Sequence, residues 1–463
     1  MRSAIILGAA ALVAASPAPQ ALDLNAVHDA PAPTGPAFGV QKQANVYNTA
    51  AAASSATAAA SSVASAEATA AVPEKRSLDK RTFCWWFWCP QPPSNGGGYG
   101  QNTPQPSNTG YGQNPQPTNT GYGTIPMTTA TSVQPTTTVA ASSPVPTSTG
   151  IVPSTCTPVS WTNTFAFTTA TDCDKPFEEG TFCGFVNPED PCAPQPDGYG
   201  PKAKVDTAEG FLADDSLHKI AKNAKDPKGY ASTFKDLNAA VNANTYLGFE
   251  TLKSYDVDAC AAHCDNTDLC TSFNIYMERD PAWNPEQCSC PNPSSITNYK
   301  CSYWGSGVTA EAAVNQGQNR TGGFQVVITG SNGYTKANTT TPATPSGCSK
   351  PKKCGAVHDH PRTCLGQHFF PGPFDVSLCS KYAQAQNAKN VASSFWSKWS
   401  SYFGYNPGKC NFFNAFMIKE NGIPRGTYCK LFAQQYEPSA ATYQPGQQGS
   451  SFYDIETSWS YCL

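Results

Sequence analysis

The sequence predicts an α+β protein, with two disulfide-rich helix-on-sheet modules behind a long disordered N-terminal region. Three observations carry this. The chain before Cys156 is dominated by Ala, Ser, Thr, Pro, Gly and Gln, roughly two thirds of its residues, with little to bury. The stretch Ser254–Arg279, SYDVDACAAHCDNTDLCTSFNIYMER, reads as a short cysteine-bearing helix followed by a strand. Its cysteine and aromatic spacings then return later in the chain.

At 463 residues the chain has room for about three domains of typical size. Charged residues make up 14%, against a usual ~25%, and the formal net charge is −3. That balance gives no electrostatic case for nucleic acid or for an anionic membrane as partner. Nineteen cysteines, four methionines and no CxxC pair point to an oxidising, extracellular compartment.

Met1-Arg2, the apolar run Ala4–Ala15 and Ser16-Pro17-Ala18 form the three regions of a secretory signal peptide over residues 1–21, too short for a membrane span. Residues 22–81 are Ala/Ser/Pro-rich and read as a disordered pro-segment. It ends in Lys75-Arg76 and Lys80-Arg81, pairs that look like the sites of secretory convertases. Residues 82–90 place Trp85-Trp86-Phe87-Trp88 between Cys84 and Cys89. A disulfide there would close a small loop and push the rings outward, as a docking or self-associating knob or as a patch packed on the body. Residues 91–155 form a spacer: Pro/Gly/Gln repeats opening at Pro90, Pro104 and Pro115, then a Thr/Ser/Pro-rich stretch like an O-glycosylated stalk.

Residues 156–229 read as a cysteine-containing lead-in, with Cys156, Cys173, Cys183 and Cys192 and a helix over Asp206–Ala224. Tyr246–Phe249 suits an edge strand. Val257, Cys260, Ala261 and Cys264 then fall at i, i+3, i+4 and i+7, one apolar face of a helix that Ser254 or Asp256 can cap. After the turn Asp265–Thr267, the β-branched and aromatic content of Cys270–Tyr276 reads as a strand. Tyr255-Asp256-Val257-x-x-Cys260 returns as Phe374-Asp375-Val376-x-x-Cys379, Cys270-x-x-Phe273-Asn274 as Cys410-x-x-Phe413-Asn414, and Cys301-x-x-Trp304 as Cys429-x-x-Phe432. Two modules follow, 230–335 and 356–463, joined by a linker over 336–355.

A cysteine-paired helix followed by a Cys-x-x-Phe-Asn strand resembles the PAN/Apple module, a small cysteine-knitted helix-on-sheet domain. The resemblance implies disulfides Cys260–Cys301 and Cys264–Cys270 in the first module and Cys379–Cys429 in the second. Ala383 stands where Cys264 would recur, so Cys410 needs another partner among Cys348, Cys354, Cys364 and Cys462. With the dibasic pro-segment and the Ser/Thr-rich stalk, the chain is similar to secreted fungal proteins of the cell wall. PAN/Apple modules bind protein or carbohydrate, so the resemblance implies a non-catalytic binding protein.

Ligand-binding candidates are Trp283, in a Pro/Asn-rich insertion over Asp280–Tyr299, and Tyr303 and Trp304 behind it. Aromatic rings beside amides suit sugars, which need stacking plus hydrogen bonds. Low charge favours a neutral extracellular glycan. Trp304 also suits a core position, since Phe432 replaces it in the second module. The other reading is a structural wall or matrix protein that self-associates through the Cys84–Cys89 loop.

Asn319 and Asn338 open N-glycosylation sequons. Cys354, His358, Asp359, His360, Cys364 and His368 have metal-like spacing, but cysteines of this compartment are usually oxidised and no metal or cofactor is expected. No Ser or Cys nucleophile motif is present, and Glu278 and Asp280 beside Arg279 read as a surface salt link, so no catalytic residues are expected. No hydrophobic tail follows Cys462, so neither a glycolipid anchor nor a membrane span is expected.

Overall fold

The structure, a computed structural model, describes residues 22–36, 42–43, 46–70, 156–157, 181–182, 185–186, 191–193, 195, 198–338, 341–393 and 408–463. The expectations for the signal peptide, for Lys80 and Arg81, for Cys84 and Cys89 and for the spacer lie outside the described residues.

In chain order, the N-terminal elements are α1 (Leu24–His28), β1 (Lys42–Gln43) and α2 (Thr49–Ala70). A two-residue ladder follows, β2 (Thr181–Phe182) with β3 (Phe185–Val186), and then α3 (Ala208–Leu212) and α4 (Asp215–Asn223). The middle of the chain holds β4 (Tyr230–Leu237), β5 (Ala240–Val241), β6 (Tyr246–Leu252), α5 (Val257–Asp265), β7 (Ser272–Pro281) and β8 (Ser295–Trp304). It closes with β9 (Ala313–Asn315), β10 (Gly317–Asn319) and β11 (Gln325–Lys336). The last part holds β12 (Lys352–Cys354), β13 (Cys364–Pro371), α6 (Val376–Ser393), β14 (Phe412–Glu420), β15 (Ile423–Phe432), β16 (Gln447–Gln448) and β17 (Ser451–Cys462). The fold mixes helix and sheet and is mostly sheet. All these elements belong to the compact unit made of Met1–Ala70 and Ser142–Leu463.

Two antiparallel sheets organise the unit. The first runs β1-β6-β8-β7-β11-β10 with β4 also on β11, and the second runs β12-β17-β14-β15-β13 with β16 on β17. Their centres share one register. Ile275 faces Cys301 and Phe273 faces Tyr334 in the first, as Ala415 faces Cys429 and Phe413 faces Tyr461 in the second. A helix crosses each: Asp256 caps α5 by accepting from the Ala259 N–H at 2.9 Å, and α6 packs Val376, Cys379 and Tyr382 on its own sheet. Cys260–Cys301 and Cys379–Cys429 tie helix to central strand at equivalent places, and Cys264–Cys270 ties α5 to the start of β7. Cys410 is an unbonded, buried thiol whose pKa burial pushes up to about 12.

The asparagine of each Cys-x-x-Phe-Asn motif has the same work. Asn274 donates to the Ser331 hydroxyl and the Asn332 carbonyl, and accepts from the Val241 N–H at 2.9 Å. Asn414 donates to the Ser458 hydroxyl and the Trp459 carbonyl, and accepts from the His358 N–H at 3.0 Å. Each therefore pins a neighbouring segment across the outer face of its sheet, the short strand β5 in the first and the His358 loop in the second. A buried amide with three partners is satisfied where an apolar residue would leave backbone groups orphaned.

Two differences from the sequence reading are physical. The single helix over Asp206–Ala224 is two helices, because the Asp214 carboxylate caps α4 through Ser216 N–H (2.9 Å) and also accepts from Lys204 N–H. Residues 22–36 and 46–70, read from composition as disordered, carry α1 and α2. Leu22, Leu24 and Val27 are buried against the second sheet, and Ala56, Ala59 and Ala60 pack on the α6 core. Composition counts what a segment buries within itself, and here the apolar partner is supplied by residues hundreds of positions away.

Candidate functional site

The insertion that carries Trp283 is shorter than the sequence suggested, because β7 and β8 extend to Pro281 and from Ser295. What remains, residues 282–294, is held from several sides. Cys288 is bonded to Cys156 and Cys290 to Cys192. The Ala282 N–H donates to Ser294 O at 2.8 Å, the Asn284 N–H to Ala193 O at 2.9 Å, and the Cys192 N–H to Asn284 O at 2.9 Å. The Glu286 carboxylate accepts from the Cys288 and Ser289 N–H groups, and the Thr321 hydroxyl donates to Pro285 O. Trp283 is half-buried at the head of this braced loop. Asn319, on β10, and Asn338, just past β11, are both exposed.

Tyr303 and Trp304 sit elsewhere, on opposite faces of β8. Trp304 is fully buried against Tyr246 with its ring N–H donating to the Ser302 hydroxyl at 3.1 Å. Tyr303 is buried in the α5 core, where burial and the nearby Glu250 carboxylate raise its pKa. Neither offers a ring face to a sugar. The Trp304–Phe432 correspondence already pointed to the core, and the structure puts Trp304 there.

No protein-family model matches the chain, and neither a curated protein nor a solved structure matches it. The functional reading therefore rests on the chain's own geometry.

The carboxylates Glu278 and Asp280 are not on the surface. Strand alternation sends both to the outer face of the first sheet and sends Arg279 to the inner one. Arg279 pairs there with Asp206 at 2.8 Å and stacks its guanidinium on Phe324. On the outer face, Lys300 Nζ lies 2.5 Å from Glu278 Oε1, and the Asn298 amide donates to Asp280 at 2.7 Å. Burial and the neighbouring Asp280 charge push the Glu278 carboxyl upward, while the Lys300 ammonium pulls it back. Such a trio can hold a proton between two acids. It is sealed, however: Glu278, Asp280 and Lys300 are 5%, 6% and 2% exposed, which leaves no room for a substrate. Reading the strand on to Pro281 would have separated Arg279 from its neighbours and exposed this cluster in the sequence.

Of the metal-like residues of the second sheet, Cys354, His358 and His360 lie close together, while Asp359 and His368 turn elsewhere. His358 is buried, with Nδ1 3.1 Å from His360 Nε2 and Nε2 3.6 Å from Cys354 Sγ. Burial first, and then the adjacent His360, lower its pKa to about 4. Asp359 turns to Lys430 at 2.7 Å, and His368 packs on Phe370 and Tyr382. Among the described residues no three His, Cys, Asp or Glu side chains could hold one metal ion, and no helix is long and apolar enough to cross a membrane.

Proposed function

We propose that this chain is a secreted, non-catalytic binding protein whose two sheets are PAN/Apple-like modules and whose ligand is a neutral extracellular glycan. The observation that carries the reading is the bracing of residues 282–294. Two disulfides and a set of backbone hydrogen bonds hold the Trp283 loop in one shape before any ligand arrives. A pre-ordered loop loses little conformational freedom on binding, which leaves more of the stacking energy for affinity. A half-buried tryptophan on a loop of backbone amides suits a sugar, which presents both C–H faces and hydroxyls. The scarcity of charge, 14% of residues, fits a neutral polymer better than an ionic one.

The test is a pull-down of the full chain on insoluble chitin and β-glucan. The wild-type chain is retained on one of them, and Trp283→Ala weakens retention at least tenfold, the loss of about 1.4 kcal/mol. Unchanged melting of the variant shows that the fold is intact. Equal retention of both chains, or retention of neither, overturns the reading.

A further inference from the structure

Arg425 stands at the centre of a built site on the second sheet. Its guanidinium is buried and donates to the carbonyl of Val27 (3.3 and 3.4 Å) and to those of His28 and Ala30 (both 3.4 Å). These are two of the last carbonyls of α1 and one just beyond it, where a helix end runs short of backbone donors; the Val27 carbonyl also accepts from the Ala30 N–H at 3.3 Å. Glu420, 3.4 Å from Arg425 Nε, balances the charge and reaches His28 Nδ1 at 2.7 Å. The Asp23 N–H donates to the Tyr428 hydroxyl at 2.7 Å. Leu22, Leu24 and Val27 enter a cleft of Val357, Phe369, Phe416, Ile418, Tyr428 and Tyr453. Residues 22–30 are thus held by three apolar side chains, by carbonyls at and beyond the end of α1 and by one backbone N–H.

The corresponding face of the first sheet explains why this one accepts a peptide. Tyr276, Glu278 and Lys300 stand there where the second sheet has Phe416, Ile418 and Tyr428, as the shared register requires. That face is polar and carries its own ionic network. The face around Arg425 is apolar, and residues 22–30 cover it from the far end of the chain.

We propose that the Arg425 face of the second sheet is a peptide-binding site, and that Leu22–Ala30 is its built-in ligand, exchangeable with the same sequence supplied as a separate peptide. As long as Lys75-Arg76 and Lys80-Arg81 are uncut, the tether makes the intramolecular ligand win. Attachment to the same chain supplies an effective concentration that a free peptide cannot match, so the native site is filled. Disabling the attached copy should open it to a free one. This inference is independent of glycan binding at Trp283.

The experiment uses the full chain and a fluorescent peptide of residues 22–36. Val27→Asp in the chain places a charge in the apolar cleft and vacates the site. The wild-type peptide should then bind the variant chain at least tenfold more tightly than the wild-type chain, while a peptide that itself carries Val27→Asp binds neither. Melting of the variant chain reports that its body is folded. If Val27→Asp is not secreted, Leu24→Ala serves as the milder opening. Uptake by neither chain with a folded body overturns the proposal, as does equal uptake by both or equal binding of the two peptides.

Discussion

Asn274 and Asn414 show how much one side chain decides here. Each satisfies two acceptors on the neighbouring strand and one backbone donor outside it, and each is fully buried. Replacing either with Ala strands a backbone N–H, that of Val241 or His358, inside the protein. An orphaned buried donor costs about 1–3 kcal/mol, so Asn274→Ala and Asn414→Ala should each lower the urea-denaturation free energy by that amount. A loss below about 0.5 kcal/mol in both would show that water replaces the amide. The motif was visible in the sequence as a repeated Phe-Asn, but its purpose was not. A side chain's hydrogen-bond partners come from loops at other positions in the chain, and spacing does not reveal them. The same holds for Trp283, Tyr303 and Trp304, which look alike as aromatic candidates and differ only in what folds over them.

At the scale of elements, α5 and the strand β7 were legible because period and cysteine spacing are local signals. Strand lengths were less so: Asp280 and Pro281 look like the start of a loop until the β8 partner is known. The seat of α1 was not legible at all. Its attachment carries a pH dependence that can be worked out. Hydrogen bonding and charge attraction from Glu420 raise the His28 pKa, so His28's contribution is full below about 6.5 and fades as pH rises through the folded value. Burial acts to raise the Glu420 pKa, but the His28 ring, the Ser451 hydroxyl and Arg425 together hold it down. Its contribution is full above the ordinary glutamate value and fades as pH falls through the lowered one. Asp29 and Arg425 also face His28, the first supporting its charge and the second opposing it. Amide-exchange protection of Leu24–His28, corrected for intrinsic rates, should therefore peak in mildly acid solution. His28→Ala should flatten the alkaline side. A profile that rises steadily from acid to alkali would contradict this assignment.

At the scale of the whole unit, the two sheets meet along a close seam. The Phe374 N–H donates to Gly305 O at 2.9 Å, and the Gly307 N–H donates to Glu456 Oε1 at 2.7 Å. A Cβ on Gly305 would lie 2.2 Å from Pro373 Cβ and 2.9 Å from its Cα, closer than atoms pack. Gly305→Ala must therefore push the seam apart, at a cost of about 1–3 kcal/mol for overpacking. Exchange should quicken at Phe374 and at Gly305, on both sides of the contact. Acceleration confined to one sheet would mean that the sheets are coupled elsewhere. The sequence announced two modules by their repeat, yet it could not show that they share one seam. Repeats describe what each unit does alone, and the residues at the join, Gly305 and Pro373, belong to neither repeat pattern.

The Asp23–Tyr428 hydrogen bond joins residues 405 positions apart, and Arg425 reaches α1 across nearly the same interval. A ribosome adding about 5–20 residues per second leaves the first partner waiting roughly 20–80 s for the second to be made. Throughout that interval Leu22, Leu24 and Val27 have no cleft to enter, while the first sheet, whose strands other than β1 all lie between Tyr230 and Lys336, can already close. A segment made early is thus among the last to settle, and its docking waits on residues made some four hundred positions later.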